Sequence, residues 1–115
     1  MMAVIFEVRP SAAGRRRYLE LAAALKPQLE RMDGFISVER FQSLGDPDRL
    51  LSLSFWRDEA AVQRWRDLEA HREAQGEGRA GVFADYRLRV AAVLRDYGLT
   101  RRDEAPDDSR QRHGA

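Results

Sequence analysis

The segment Leu50–Gln75, LLSLSFWRDEAAVQRWRDLEAHREAQ, carries a strand and a helix with almost no linker between them. On a strand, Leu51, Leu53 and Phe55 share one face, and Leu50, Ser52, Ser54 and Trp56 share the other. Apolar residues on both faces call for cover on both faces. Asp58 is placed to cap the helix that follows, because its carboxylate can accept a free amide of the first turn. Glu59 is favourable there against the helix dipole. Ala61, Val62, Trp65 and Leu68 then recur at helical spacing as an inward stripe. The pattern loosens through Glu69, Ala70, His71 and Gln75 until Gly76-Glu77-Gly78 breaks it. The stretch holds both tryptophans of the chain and one of its two histidines.

Upstream, Ala3–Arg9 alternates as a strand, with Val4, Phe6 and Val8 on one face and Ile5, Glu7 and Arg9 on the other. Pro10 stops it, and Ser11 is a candidate cap for a helix over Ala12–Met32. Tyr18, Leu21, Ala22, Leu25, Leu29 and Met32 make that helix's apolar stripe, with Pro27 as a local conflict. Gly34 suits a left-handed helix end. Phe35–Leu44 reads as a second strand. Phe35, Ser37, Glu39, Phe41 and Ser43 alternate there with Ile36, Val38, Arg40, Gln42 and Leu44, and neither set is cleanly apolar. Gly45-Asp46-Pro47-Asp48 is a turn, so strands two and three (Arg49–Trp56) form a hairpin. After a short irregular or helical piece with Val82 and Phe83, Tyr86–Tyr97 reads as the last strand. Gly98–Ala115 is a polar tail that would be disordered alone, and so is expected to be flexible or packed on a partner subunit.

This order predicts an α+β fold of the ferredoxin-like type, β-α-β-β-α-β, with two helices on one face of a four-stranded antiparallel sheet. Residues 1–97 form the domain and 98–115 the tail. Nothing in the chain remains to cover the second face, which would hold Ile5, Trp56, Ala91 and Val93. A homodimer with its sheets face to face is the expected answer.

At 115 residues the chain is one domain, and 43% hydrophobic content is ordinary for a globular one. No apolar run is long enough for a membrane span. With no cysteine and no recognisable signal peptide, a cytoplasmic protein is expected. A net charge of +1 does not call for nucleic acid or a membrane surface. Of 20 basic residues only Lys26 is lysine. Arginine can hold planar anions with two hydrogen bonds, although a genome-wide bias gives the same skew.

Phe55-Trp56-Arg57-Asp58-Glu59-Ala60, then Trp65, His71 and the strand Tyr86-Arg87-Leu88-Arg89, resemble the antibiotic biosynthesis monooxygenase family over about residues 3–97. Gly34-Phe35 at the start of strand two also fits. The resemblance implies a dimeric α+β barrel. It further implies a cofactor-independent monooxygenase acting on a small aromatic or quinol-type molecule, or a haem-binding or haem-degrading protein. Trp65 and His71 stand where those branches carry site residues, whereas the strand-one position that would be Asn is at or near Val8. No Asn occurs in the chain.

His71 and Trp65 are the candidate catalytic residues. His71 titrates near neutrality, which suits proton removal from a phenol or quinol, or ligation of haem iron. It equally suits a helix histidine with no role. Trp56, Leu68, Phe83, Tyr86 and Arg40 are the candidate binding residues, each with a packing or ion-pairing alternative. Arg40, Arg87 and Arg89 lie on strands, where Glu7 or Glu39 could neutralise them and an anionic substrate could do the same. A non-catalytic dimeric module also remains open. No metal spacing, phosphate loop or Ser-His-Asp set is present.

Overall fold

The structure, a computed structural model, describes residues 1–72 and 82–113, with the side chains of 70–72 and 113 left undescribed. The elements are β1 (Met2–Pro10), α1 (Arg15–Glu30), β2 (Phe35–Gln42), β3 (Leu50–Trp56), α2 (Glu59–Arg72), β4 (Phe83–Ala92) and α3 (Asp107–His113). The strands form one antiparallel sheet in the order β2-β3-β1-β4. The first six elements make the ferredoxin-like unit that the residue pattern predicts.

Cross-strand register assigns the faces. Met2, Val4, Phe6 and Val8 pair with Trp56, Ser54, Ser52 and Leu50 of β3, so these residues share the helix-covered face. Two apolar clusters fill the space beneath the helices. One joins Val8, Tyr18, Leu50 and Val82, with Phe6 and Phe83 against it. The other joins Leu29, Trp56, Ala61 and Val62, with Phe35, Val38 and Trp65 among its neighbours. Trp56 is therefore not on the open face, where the face count had put it. It is fully buried under α1 and α2. Its indole N–H explains the serines of β3, because it donates to buried Ser54 Oγ at 2.9 Å.

Several boundaries differ from the expected ones, each for a local reason. In β2, Phe35 pairs with Trp56 but Ser37 pairs with Phe55, so Ile36 is an extra residue in a β-bulge. The bulge breaks strict alternation and turns Phe35, Val38, Arg40 and Gln42 all toward the helices. β4 begins at Phe83 rather than Tyr86, pairing with Pro10 across an irregularity in β1. It ends at Ala92 rather than Tyr97, because β1 runs out as Val93 N–H bonds the Met1 carbonyl. Ser11 does not cap α1. Its amide bonds the Val82 carbonyl and the helix starts after Gly14, where a Cβ would lie 2.4 Å from that same carbonyl.

Asp58 does cap α2, accepting the Ala61 amide at 2.9 Å. That corner is tightly built. Arg57 forks onto both carboxylate oxygens of Asp33 at 3.0 Å and reaches Asp58 at 3.2 Å. Gly34 beside it has φ +87°, and a Cβ there would meet Ala61 Cβ at 2.6 Å.

The helices leave β4 uncovered. Tyr86, Leu88 and Val90 are on the helix side yet 60, 47 and 42% exposed. On the opposite face Ile5, Leu51, Leu53 and Phe55 are half-buried. In the tail, Arg102 stacks on Tyr97 at 5.4 Å and bonds the Gly98 carbonyl and Ser109 Oγ. Among the described residues no helix is long and apolar enough to cross a membrane.

Two outcomes follow from the Gly34–Asp58 corner. Gly34→Ala should lower unfolding stability by at least about 1–2 kcal/mol, from the left-handed backbone and the contact with Ala61. Gly98→Ala, with open space around it, should change stability by less than about 0.5 kcal/mol in the same urea titration. The Asp58 carboxyl is held below its ordinary range by the Ala61 amide and then by Arg57. A depressed carboxyl stabilises the fold above its unfolded pKa and loses that contribution as pH falls through its folded value. The difference in Tm between wild type and Asp58→Ala should therefore be full at neutral pH. It should shrink below about pH 4, the ordinary Asp value; a difference that persists in acid would contradict the cap.

Candidate active site

Between the two apolar clusters lies a cleft of about 90 Å³. Its roof is the α1 stripe, Tyr18, Leu21, Leu25 and Leu29, which falls on one helix face at the i, i+3, i+4 spacing. Val4, Phe6, Ser52 and Ser54 make the floor on β1 and β3. Trp65 and Glu69, one helical turn apart on α2, form one wall, and Phe83 and Leu88 of β4 form another. Val38 and Arg40 enter from β2.

Trp65 is fixed by packing, its ring stacked on Trp56 with centroids 6.3 Å apart and planes 29° apart. Phe35 closes on the other side of Trp56 edge-on at 5.4 Å. At the opposite end Phe83 meets Phe6 and Tyr18, both edge-on at 5.7 Å. The cleft is therefore flanked by two aromatic groups, with Leu21 and Leu25 above.

Arg40, Ser52, Ser54 and Glu69 interrupt these apolar walls with polar side chains. Arg40 Nε is buried and has no hydrogen-bond partner. Ser54 Oγ already accepts from Trp56. Glu69 is half-buried at the α2 wall and takes part in an interaction of its own. No group of three or more Asp, Glu or His among the described residues is placed to hold a metal ion.

Of the residues picked from sequence, Trp65, Phe83 and Arg40 are brought together in this cleft. Trp56 backs it without lining it. Leu68 is half-buried on α2 outside the lining, and Tyr86 sits at the exposed edge, with its ring 5.8 Å from Phe83. His71 is on the last turn of α2, and its side chain lies outside the described residues. Glu69, Tyr18, Ser52 and Ser54 escaped the sequence reading as cleft residues. Glu69 could have been found, since it is i+4 from Trp65. The two serines could not, because alternation does not tell which covered face of the strand meets the helices.

Of the other strand arginines expected to face a carboxylate or a ligand, Arg89 finds a carboxylate, Glu7. On the open face Glu7 takes hydrogen bonds from Arg49 at 3.0 Å and Arg89 at 3.2 Å. The Arg49 bond, with the charge of Arg89, holds the Glu7 carboxyl below its usual range. Arg9 pairs with Asp46.

The chain resembles proteins of known description. The family described as antibiotic biosynthesis monooxygenase matches residues 1–77. A jasmonate monooxygenase of Pyricularia oryzae is 50% identical over 93 residues, which cover 81% of this chain and 43% of that protein. The chain thus spans less than half the length of this relative. Among solved structures, Rv0793 from Mycobacterium tuberculosis superposes with a TM-score of 0.71 at 18% identity, covering 84% of this chain and 98% of that one. A haem-degrading protein of the same organism, MhuD, solved with two haems in its active site, gives 0.67 at 18% identity, covering 85% and 100%. These structural likenesses show a shared fold. The sequence match over most of the folded unit goes further, and the chain belongs to the antibiotic biosynthesis monooxygenase family.

Proposed function

We propose that the cleft between α1, α2 and the sheet is the active site of a cofactor-independent monooxygenase acting on a small aromatic or quinol-type molecule. The observation that supports this is the position of Trp65. It is an immobilised ring on the wall of an apolar cleft, with a carboxylate one turn along the same helix. Ligand pockets are commonly apolar with a few placed polar groups, and this one has that character.

Size limits the ligand. A cavity of about 150 Å³ is large enough for benzene, and this cleft measures about 90 Å³. A ring compound seated against Trp65 therefore projects past Leu88 over the uncovered side of β4. Haem is the alternative raised by the sequence; a macrocycle needs several times this volume, so the size of the cleft favours the smaller ring. The likeness to the haem-bound neighbour is one of fold.

The chemistry asked of the protein is modest. A phenol or quinol that loses its O–H proton becomes an anion rich enough in electrons to react with dioxygen. A new C–O bond forms at a ring carbon and the O–O bond breaks. One oxygen remains as a quinone carbonyl and the other leaves as water with the two displaced hydrogens. The substrate supplies all four electrons. The protein removes the proton, holds the ring and excludes bulk water. His71 is the proposed base, and Glu69 is the described carboxylate positioned for the same task.

A second copy laid on the open face would cover Ile5, Leu51, Leu53 and Phe55, so the active form is proposed to be a homodimer. A cytoplasmic setting is in keeping with the cysteine-free chain.

Oxygen uptake with a panel of phenols and quinols, and with jasmonate as the compound named for the fungal relative, tests the activity. Trp65→Ala should lower kcat/KM for an accepted substrate by about tenfold or more, the effect of losing a large apolar contact. Removing the base should cost about 10²–10⁴-fold in kcat. If His71→Ala is that variant, His71 is the base; if it is unchanged and Glu69→Gln falls, the role belongs to Glu69. Sedimentation velocity tests the pairing: wild type should run as a dimer and Leu53→Asp as a monomer. A monomeric wild type at tens of micromolar would overturn the dimer.

A further inference from the structure

We infer that Arg40 is the anchor for a carboxylate, so that the molecule held in the cleft is a small organic acid with an apolar body. This rests on the cleft being the binding site and adds the chemical class of its occupant.

The guanidinium is an odd group to find there. The Ile36 bulge turns Arg40 away from the charged open face, where Arg49 and Arg89 share Glu7, and into a space walled by leucines and Trp65. Its Nε is buried with no acceptor. A buried donor left unpaired is costly, and native proteins seldom tolerate one without a reason. The acceptors nearby do not serve it. Ser52 lies directly across the strand pair but accepts nothing from Nε, and Ser54 Oγ accepts from the Trp56 indole instead. Glu69 lines the same cleft and is engaged in an interaction of its own, while Arg40 Nε has no partner. The buried Nε–H thus has no acceptor among the described residues.

A carboxylate matches this donor best. Nε and the neighbouring Nη of a guanidinium present two parallel N–H donors that fit the two oxygens of a carboxylate. With its head on Arg40, the apolar part of the acid runs along Leu21, Leu25 and Val38 toward Trp65. A neutral amide or ester of the same shape keeps the apolar contacts and loses the charge-assisted pair.

Matched acids and amides test the inference: cinnamic acid with cinnamamide, and benzoic acid with benzamide, titrated into the full chain by calorimetry. In wild type each acid should bind about tenfold to a hundredfold more tightly than its amide. Arg40→Gln should bring acid and amide close to parity, with the acid losing most of its affinity. Arg40→Lys, which keeps the charge without the fork, should retain part of the preference. Circular dichroism melts establish that each variant is folded. If Arg40→Gln does not fold, the wild-type comparison and Arg40→Lys decide. Absence of an acid preference in wild type, including absence of any binding, overturns the inference, as does a preference that survives in folded Arg40→Gln. The activity fails separately: acids that bind through Arg40 without oxygen uptake would remove the oxygenase reading alone, and uptake with neutral phenols without acid preference would remove only the carboxylate.

Discussion

Burial of the Trp56 side chain is the constraint from which the rest of the structure follows. A fully buried indole requires an acceptor for its N–H, and Ser54, two residues back on the same face of β3, supplies it at 2.9 Å. With that bond made, the ring is free to act as an apolar plate. Phe35 closes on it edge-on from β2 and Trp65 stacks on it from α2. Because β3 passes into α2 within a few residues, this plate sets how the helix lies on the sheet. The Arg57–Asp33 fork and the Asp58 cap hold the same corner from the solvent side. Trp65 reaches the cleft wall only because Trp56 fixes its back.

The cleft arises where the two halves of the core fail to merge. One cluster gathers round Trp56 and the other round Val8 and Tyr18. The Leu21 and Leu25 side chains bridge above, but Ser52 and Ser54 below are too small to fill the gap between the aromatic groups. Larger apolar residues at these two positions would have completed the core and removed the cleft. The opening is thus bounded by small polar residues below and a roof of leucines above, the room that the proposed binding role requires.

Much of this organisation was legible in the amino-acid order. The Leu50–Trp56 run, the Asp58 cap and the Trp65 stripe locate β3 and α2, and the alternation of β1 and its succession of partners yields the ferredoxin-like layout. The cleft was less legible, for physical reasons. With apolar residues on both faces of β3, alternation alone could not say that the face bearing Ser52, Ser54 and Trp56 is the one under the helices, where Ser54 satisfies the buried indole. The bulge at Ile36 has no residue signature at all; it is visible only in the pairing of Phe35 with Trp56 and Ser37 with Phe55. The limits of β4 depend on how far β1 extends beside it, which is a property of the pair and not of either segment.

That single extra residue has a consequence for how such a site could change. Residues on β2 alternate in charge about the bulge: Arg40 faces the cleft and Glu39 the other side of the sheet. Ile36 is the one residue of β2 without a cross-strand partner, so a strand lacking it would pair Phe35 and Ser37 with Trp56 and Phe55 as an unbroken ladder, and Val38 and Arg40 would keep their side of the sheet. A second loss, with Phe35 held in place, would have no spare residue to absorb it and would bring Glu39 and Phe41 to the cleft face, since side chains on a strand have a period of two. The bulge is thus slack in the strand: it protects the charge that faces the cleft from the first change in strand length and not from the next.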